Sequence, residues 1–202
     1  MIKYIIFDFG RVIVDFDESK MTRVFVKDES LVPLVRDAVF DRALWDPSDL
    51  GLISDEDLKA GFCKNLPPEL HEAACAVYDR WLENLDIVPH IEDAVRAAKE
   101  RFSGVYLLSN ISEKFAREWK DHPAVARILS LFDGLVFSGV LHLVKPDERI
   151  FRHLLDTYGL AADECLFIDD SEKNLAGALA LGIKTYLFDG DGKRLTAYLK
   201  TI

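Results

Sequence analysis

The chain has 202 residues, of which 50% are hydrophobic and 30% are charged, a size that favours one domain or one domain with a large insertion. Its 35 acidic residues outnumber the 25 basic ones and give a formal charge of -10. A nucleic acid would be repelled on average, so we expect no nucleic-acid partner. No apolar run approaches the ~18 residues that a membrane helix needs, and the run before Asp8 is too short for a signal peptide.

Three cysteines, Cys63, Cys75 and Cys165, have neither the spacing of a metal-binding knuckle nor that of a redox pair. We interpret them as reduced thiols of a cytoplasmic protein with no membrane partner. The sequence contains no indication of the oligomeric state.

The first predicted element is a short strand, Ile2–Phe7, and a long helical stretch follows it. Within that stretch, helical periodicity is clearest at Leu31–Leu44, Asp55–Cys63 and Pro68–Leu85. We expect a helical cap over a sheet. The predicted division is a core of residues 1–15 and 89–202 and a cap of residues 16–88.

Strands and helices alternate after Pro89. Continuous apolar runs, typical of strands covered on both faces, lie at Val105–Leu108, Leu135–Phe137, Cys165–Ile168 and Lys184–Phe188. Helical patterns lie at Ile91–Arg101, Asp147–Tyr158 and Ser171–Leu181. The alternation predicts an α/β fold with a parallel, doubly wound sheet.

Polar residues follow the first four predicted strands. They are Asp8, Ser109-Asn110, Lys145 and Asp169-Asp170. Each alone could be a turn, a helix cap or a surface lysine, but ligands bind open parallel sheets beyond the carboxyl ends of the strands. Polar residues after four successive strands, in this order, therefore predict one shared site. Two adjacent acids at a buried strand end also repel each other unless a cation lies between them.

This combination of groups suits phosphoryl transfer, in which positioning and charge neutralisation carry most of the catalysis. Asp8 is a carboxylate that can form an aspartyl-phosphate. Mg²⁺ takes oxygen ligands, which Asp8, the carbonyl of Gly10 and one of the two acids after the fourth strand can supply. Lys145 can neutralise both the nucleophile and the phosphate.

Four segments resemble, in order and at family spacing, the four motifs of the haloacid dehalogenase (HAD) superfamily of hydrolases: FDFGRVIVDFD, LLSN, VKPDERIF and FIDDSEKN. The segment GLISDED is similar to one in the branch that contains bacterial sugar-phosphate phosphatases and the phosphatase domain of soluble epoxide hydrolase. The resemblance covers essentially the whole chain, strongly in the core and weakly in the cap. It implies a Rossmann-like core, a small helical cap and a magnesium-dependent phosphatase for a small phosphorylated metabolite.

The resemblance also implies a role for each matching residue. It assigns catalysis to Asp8 and Lys145, phosphate binding to Ser109, Asn110 and Lys145, metal binding to Asp8, Gly10, Asp169 and Asp170, and substrate-contacting or orienting roles to Arg11 and Asn174. Which of the two adjacent acids binds the metal directly stays open.

Three positions depart from the family pattern. Gly10 stands where most phosphatases of the superfamily have the Asp that protonates the leaving group and later activates water, although glycine also occurs in the branch named above. The acid/base group is therefore unassigned: a readily departing leaving group, a metal-coordinated water, Asp15 or Asp17 could compensate. Arg11 replaces a small residue, and His142, where relatives have glycine, is interpreted as a loop residue.

Two other functions remain open. One is a metal-free 2-haloacid dehalogenase-type hydrolase, which the acid pair disfavours because it would have nothing to coordinate. The other is a catalytically impaired protein that binds a phosphate ligand; a phosphotransferase or mutase is a lesser variant. The aromatic residues Phe16, Trp45 and Trp81 either line the substrate cavity or pack in the core, the commoner use of such residues.

Overall fold

The computed structural model describes all residues from 1 to 202 and contains seven strands. In chain order they are β1 (Tyr4–Phe7), β2 (Val14–Asp15), β3 (Asp86–Ile87), β4 (Gly104–Ser109), β5 (Gly134–Phe137), β6 (Cys165–Asp169) and β7 (Lys184–Leu187). Five of them form one sheet in the order β5-β4-β1-β6-β7, and every neighbouring pair is parallel. The parallel sheet is confirmed, with the first strand beginning at Tyr4 instead of Ile2.

Twelve α-helices accompany the strands. In chain order they are α1 (Glu18–Phe25), α2 (Val32–Val39), α3 (Arg42–Asp49), α4 (Asp55–Cys63), α5 (His71–Asp79), α6 (Ile91–Arg101), α7 (Glu113–Glu118), α8 (Pro123–Leu129), α9 (Ser138–Leu141), α10 (Glu148–Tyr158), α11 (Glu172–Ala180) and α12 (Gly192–Leu199). Short 3-10 helices lie at Pro68–Leu70, Trp81–Asn84, Trp119–Asp121 and Ala162–Glu164. None of the helices has the length and apolar character needed to cross a membrane.

The sheet is covered on both faces, as continuous apolar strands require. Ile5 and Phe7 of β1 belong to a buried cluster that includes residues of α6, α8 and α12. Ile6, between them, points to the other face and belongs to a second cluster with residues of α10 and α11. Helices on both faces of a parallel sheet make the fold doubly wound, as predicted.

The first connection is the long one. Helices α1 to α5 lie between β2 and β3, and these two short strands pair antiparallel, so the chain leaves and re-enters the core at one place. The sequence predicted helix as far as Val88, and β3 is a correction to that expectation. The division into a core and a cap of residues 16–88 stays a prediction, because one buried cluster runs from α1–α5 into the sheet.

Two helices predicted in this connection are broken in the structure. Leu31–Leu44 is not one helix: α2 ends at Val39, and the Asp41 carboxylate begins α3 by accepting a backbone N–H bond of 2.9 Å. The Trp45 indole N–H then donates to the carbonyl of Val39 at 2.5 Å. These bonds satisfy backbone groups that a helix end exposes, so the break is stable. Pro68–Leu85 is likewise divided into a 3-10 helix, α5 and a second 3-10 helix.

Candidate active site

The residues predicted at the strand ends meet around one cavity of about 500 Å³ at the carboxyl edge of the sheet. Asp8 directly follows β1, and Ser109 is the last residue of β4, the neighbouring strand. Asp169 ends β6 on the other side of β1. The remaining predicted residues that line this cavity are Gly10, Arg11, Asn110, Lys145, Asp170 and Asn174.

Lys145 is the centre of the charged network. Its ammonium lies 2.7 Å from Oδ1 of Asp8 and 2.8 Å from Oδ2 of Asp169, and its side chain is buried. Burial alone would lower the pKa of Lys145, but the two carboxylates raise it above its usual value. The lysine is therefore a fixed positive charge beside Asp8.

Asn110 holds the backbone that presents this lysine. Its side-chain oxygen accepts the N–H of Lys145 at 2.7 Å, and its amide nitrogen donates to the carbonyl of Lys145 at 3.0 Å. Both ends of the amide are thus engaged with backbone. The role predicted for Asn110, phosphate binding, remains a prediction, and the geometry adds a positioning role that sequence reasoning missed.

The two adjacent acids after β6 have different surroundings. Asp169 is fully buried and accepts bonds from Lys145, from the Ser171 N–H at 2.8 Å and from the Asn174 amide at 3.1 and 3.2 Å. Asp170 is half-buried and lines the cavity, which Asp169 does not. Asp170 is therefore the more accessible acid, and Asn174 orients the enclosed one.

Carboxylate oxygens of Asp8, Asp169 and Asp170 all lie within 4.8 Å of one another. Burial raises the pKa of Asp8 to about 7, with Lys145 opposing the shift and Asp169 adding to it. Burial and the neighbouring Asp169 also raise the pKa of Asp170. Oxygen donors whose charges repel one another can hold a hard metal cation, because the cation relieves that repulsion.

Gly10 and Arg11 form the rim beside Asp8. Gly10 has an ordinary negative φ, and a Cβ built there would have no neighbour within 4 Å. Arg11 is exposed, adopts a φ of 58°, and its positive charge opposes the rise in the pKa of Asp170. Space for a side chain therefore exists at position 10, next to Asp8.

The helical connection between β2 and β3 also contributes residues to the lining of the cavity. Phe16, Trp45 and Trp81 line it and contact one another, with ring centroids 5.5 to 6.0 Å apart. Trp45 and Trp81 are also buried, so both uses considered for these residues apply. Glu18, Arg42 and Asp49 line the same cavity, and sequence reasoning missed them.

A signal for one of these missed residues was present in the sequence. Trp45 and Asp49 are four residues apart, which puts both on one face of α3. Both are buried in the structure, so an acid lies on the apolar face of an amphipathic helix. Such a placement is costly and is a marker for function.

Comparison with known proteins agrees with this architecture. A sequence model of the haloacid dehalogenase-like hydrolase family matches residues 2–182. The chain is 27% identical to the D-ribitol-5-phosphate phosphatase of Bacteroides thetaiotaomicron over 192 residues, which cover 92% of this chain and 91% of that protein. It is 23% identical over 191 residues to drimenol cyclase drtB of Aspergillus calidoustus, but spans only 34% of the length of that relative.

A solved structure shares the fold. It is HAD family enzyme bt-2542 from Bacteroides thetaiotaomicron, in complex with magnesium and inorganic phosphate. It has a TM-score of 0.72 and 24% sequence identity, and the match covers 96% of this chain and 99% of that one. The family match includes β1, β4 and β6 and the residues at their ends. The predicted resemblance is therefore confirmed, and the chain belongs to the haloacid dehalogenase-like hydrolase family.

Proposed function

We propose that this protein is a magnesium-dependent phosphatase that hydrolyses a small phosphate monoester through an aspartyl-phosphate on Asp8. The observation that carries the proposal is the contact of the buried Lys145 ammonium with Asp8 and Asp169, next to Asp170 in one cavity. Phosphoryl transfer needs a nucleophile between positive charges, because negative charge is spread over the phosphoryl oxygens.

Asp8 attacks the phosphorus atom, the bond from phosphorus to the ester oxygen breaks, and the alcohol leaves. Water then hydrolyses the aspartyl-phosphate, which restores Asp8 and releases phosphate. Lys145, 2.7 Å from Asp8, orients the nucleophile and offsets charge on the phosphoryl group. Ser109, at the end of β4, faces the same cavity with a hydroxyl that can bond a phosphoryl oxygen.

Asp8 and Asp170, with the carbonyl of Gly10, would hold the Mg²⁺, and the buried Asp169 would add its negative charge to the site. The cation supplies positive charge against the phosphoryl oxygens. Magnesium and inorganic phosphate are bound together in the HAD family enzyme of the same fold. The carboxylate cluster of this chain is the part of the site that supports the same cofactor here.

The cavity favours a polar substrate. Only five of its 18 lining residues are hydrophobic, and charged side chains from both the sheet and the helices reach it. A sugar or polyol phosphate suits such a lining, since hydroxyl groups can bond the charged groups. The relative from Bacteroides thetaiotaomicron with 27% identity is named for a phosphorylated polyol, D-ribitol 5-phosphate, which supports this class.

A dehalogenase function is less well supported. Carboxylate oxygens of Asp8, Asp169 and Asp170 lie close enough to share a metal ion. A metal-free dehalogenase would leave this cluster with nothing to coordinate. A purely ligand-binding protein would in turn have no need for a nucleophile exposed to the cavity.

The test is turnover by the purified full-length chain on a panel of phosphorylated metabolites and on 2-haloacids, each with Mg²⁺ and after exhaustive chelation. We expect phosphate release that requires Mg²⁺ and no halide release. Halide release that survives chelation would overturn the proposal in favour of a dehalogenase. Binding of phosphorylated compounds with no turnover of any, including activated aryl phosphates, would overturn it in favour of a binding protein.

A further inference from the structure

The proposed reaction lacks an assigned acid/base group, because Gly10 has no side chain. Asp15 and Asp17 were the candidates from sequence, and both line shallow depressions outside the cavity that contains Asp8. The Asp17 carboxylate also caps α1 by accepting the Lys20 N–H at 2.9 Å. Neither residue therefore lines the cavity in which an ester oxygen would meet Asp8.

Asp49 lies in that cavity instead. It is the last residue of α3 and is only 7% exposed, and its carboxylate has no hydrogen-bond partner in the chain yet is not sealed from the cavity. The other two acids of this region are engaged: Asp41 caps α3, and Asp46 pairs with Arg42 at 2.7 Å. A buried carboxylate without a partner is costly, so a structural role does not explain it.

The backbone around Asp49 is fixed to the sheet edge. The Ser138 hydroxyl donates to the carbonyl of Asp49 at 2.5 Å, and Nδ1 of His142 donates to the carbonyl of Leu50 at 2.8 Å. A Cβ at Gly51, whose φ is +65°, would lie 2.2 Å from a backbone oxygen of α9. The backbone at Gly51 therefore packs against α9 more closely than any side chain would allow. His142 is thus a loop residue, as interpreted, and its loop secures the position of Asp49.

Asp49 lines the same cavity as Asp8 and Lys145, and its burial favours a carboxyl that keeps its proton. Burial raises its pKa to about 7. On the same helix, Arg42 lowers this pKa and Asp46 raises it. At the sheet edge, Asp8 raises it and Lys145 lowers it. An acid/base group works best when its pKa is close to the working pH, and a carboxyl in an apolar setting reaches that range.

We propose that Asp49 is the general acid and base of this enzyme, supplied by the helical connection in place of the side chain missing at Gly10. The inference rests on the proposed phosphatase function. The Asp49 carboxyl gives its proton to the ester oxygen as the phosphorus–oxygen bond breaks, so the alcohol leaves neutral. The carboxylate then takes a proton from the water whose oxygen attacks the aspartyl-phosphate, which frees Asp8 and phosphate and restores the carboxyl.

The experiment compares Asp49→Asn with the wild type on phosphate esters of graded leaving-group basicity, from p-nitrophenyl phosphate to alkyl and polyol phosphates. We expect kcat/KM to fall about 10²–10⁴-fold for alkyl phosphates, whose alkoxides need a proton. For p-nitrophenyl phosphate the fall should stay below about tenfold, because that phenolate departs without one. The control is Asp156→Asn, the same change on an exposed residue of α10 outside the cavity, which should behave as wild type.

A second variant tests the role by rescue. Gly10→Asp in the Asp49→Asn background should restore alkyl phosphate turnover at least in part, because a side chain at Gly10 has free space and an ordinary φ. Equal losses on activated and unactivated esters, or losses that follow the number of substrate hydroxyls, would overturn the proposal and make Asp49 a substrate-binding group. Failure of the phosphatase assignment is separate, because the wild type would then hydrolyse none of the esters.

Discussion

The sheet edge and the helical connection contribute to one cavity in different ways. At the sheet edge the charged groups bond one another: Lys145 joins Asp8 to Asp169, and Asn174 holds Asp169. The helical connection lines the cavity with the aromatic residues Phe16, Trp45 and Trp81 and with Asp49, and we call this lining the helical wall. Its buried acid, Asp49, has no hydrogen-bond partner in the chain. The first region is organised before any substrate arrives, whereas the second has groups left for the substrate to engage. Changes at the sheet edge should therefore affect every substrate, and changes in the helical wall should discriminate among them.

The largest effect expected at the sheet edge is that of Asp8→Asn. The amide is a poor nucleophile and a weaker metal ligand, so turnover of every phosphate ester should fall by about 10⁴-fold or more. The change is isosteric, and the fold should persist, as circular dichroism would check. Asp37→Asn, on the exposed surface of α2, is the matched control and should leave activity intact. Substantial turnover by a pure, folded Asp8→Asn protein would remove Asp8 from its role.

Lys145→Met should have the largest effect on stability. The substitution leaves Asp8 and Asp169 buried without their ammonium, which should cost about 3–5 kcal/mol in urea unfolding at pH 8 without metal. At pH 5 the loss should be smaller, because the pKa of Asp8 is raised to about 7 and its protonation removes the repulsion. Lys173→Met, at an exposed lysine on the cavity rim, should change the free energy of unfolding by less than about 0.5 kcal/mol. Similar losses in the two variants would contradict a network held together by Lys145.

Mg²⁺ should stabilise the native state through the acids at the sheet edge. At 100 times its Kd, a cation that binds only the folded chain adds about 2.7 kcal/mol to the free energy of unfolding. For a chain of this length, that gain raises Tm by about 5–10 °C. Asp170→Ala should abolish the Mg²⁺-dependent rise, and potassium chloride at equal ionic strength should not reproduce it. If Asp170→Ala responds to Mg²⁺ as the wild type does, the cation binds elsewhere.

Asp49→Asn should make the metal-free protein more stable at alkaline pH. Since burial raises the pKa of Asp49 from its ordinary 3.8 to about 7, the native state keeps a proton that the unfolded chain releases between these values. The contribution of Asp49 to stability is therefore present below about pH 4 and is lost as the pH rises to about 7. At pH 8 the variant should exceed the wild type by about 1–4 kcal/mol in urea unfolding, and near pH 4 the difference should disappear. A gain in stability that is the same at pH 4 and at pH 8 would show that Asp49 does not titrate as described.

The positions of the sheet-edge residues were predictable from sequence, whereas in the helical wall only the aromatic residues were candidates and the charged ones were missed. Continuous apolar runs show where buried strands end, and the order of Asp8, Ser109, Lys145 and the acid pair follows from chain order alone. The partners within the site were not predictable, because hydrogen bonds such as those of Asn110 to the backbone of Lys145 depend on how two loops meet.

The role of α3 required the structure for a specific reason. The periodicity of Leu31–Leu44 continues across the point where Asp41 caps a new helix. The spacing of Trp45 and Asp49 puts them on one face of α3, but the direction in which that face points could not be predicted. The hydrogen bonds from Ser138 and His142 to the carbonyls of Asp49 and Leu50 join residues about 90 positions apart in the chain. No local pattern records such a contact.

The smallest expected effect, that of Phe16→Ala, most directly tests whether the helical wall discriminates among substrates while the sheet edge does not. Phe16 is half-buried, lines the cavity, and lies with its ring centroid 5.8 Å from that of Trp45. Phe16→Ala removes apolar contact worth about 1–2 kcal/mol to a substrate that reaches the helical wall, so kcat/KM for a polyol phosphate should fall about 5–30-fold. Methyl phosphate, which occupies only the sheet edge, should lose less than about twofold.

The matched control for Phe16→Ala is Phe25→Ala. Phe25 is a half-buried aromatic residue of α1 that lies outside the cavity, with the Arg80 guanidinium 5.2 Å from its ring centroid. Its truncation should lower stability without changing the ratio of the two kcat/KM values. If Phe16→Ala reduced both substrates equally, the aromatic wall would act only as core packing. Discrimination among substrates would then have to come from the polar groups of the cavity, because the phosphate-binding edge contacts a part that all phosphate esters share.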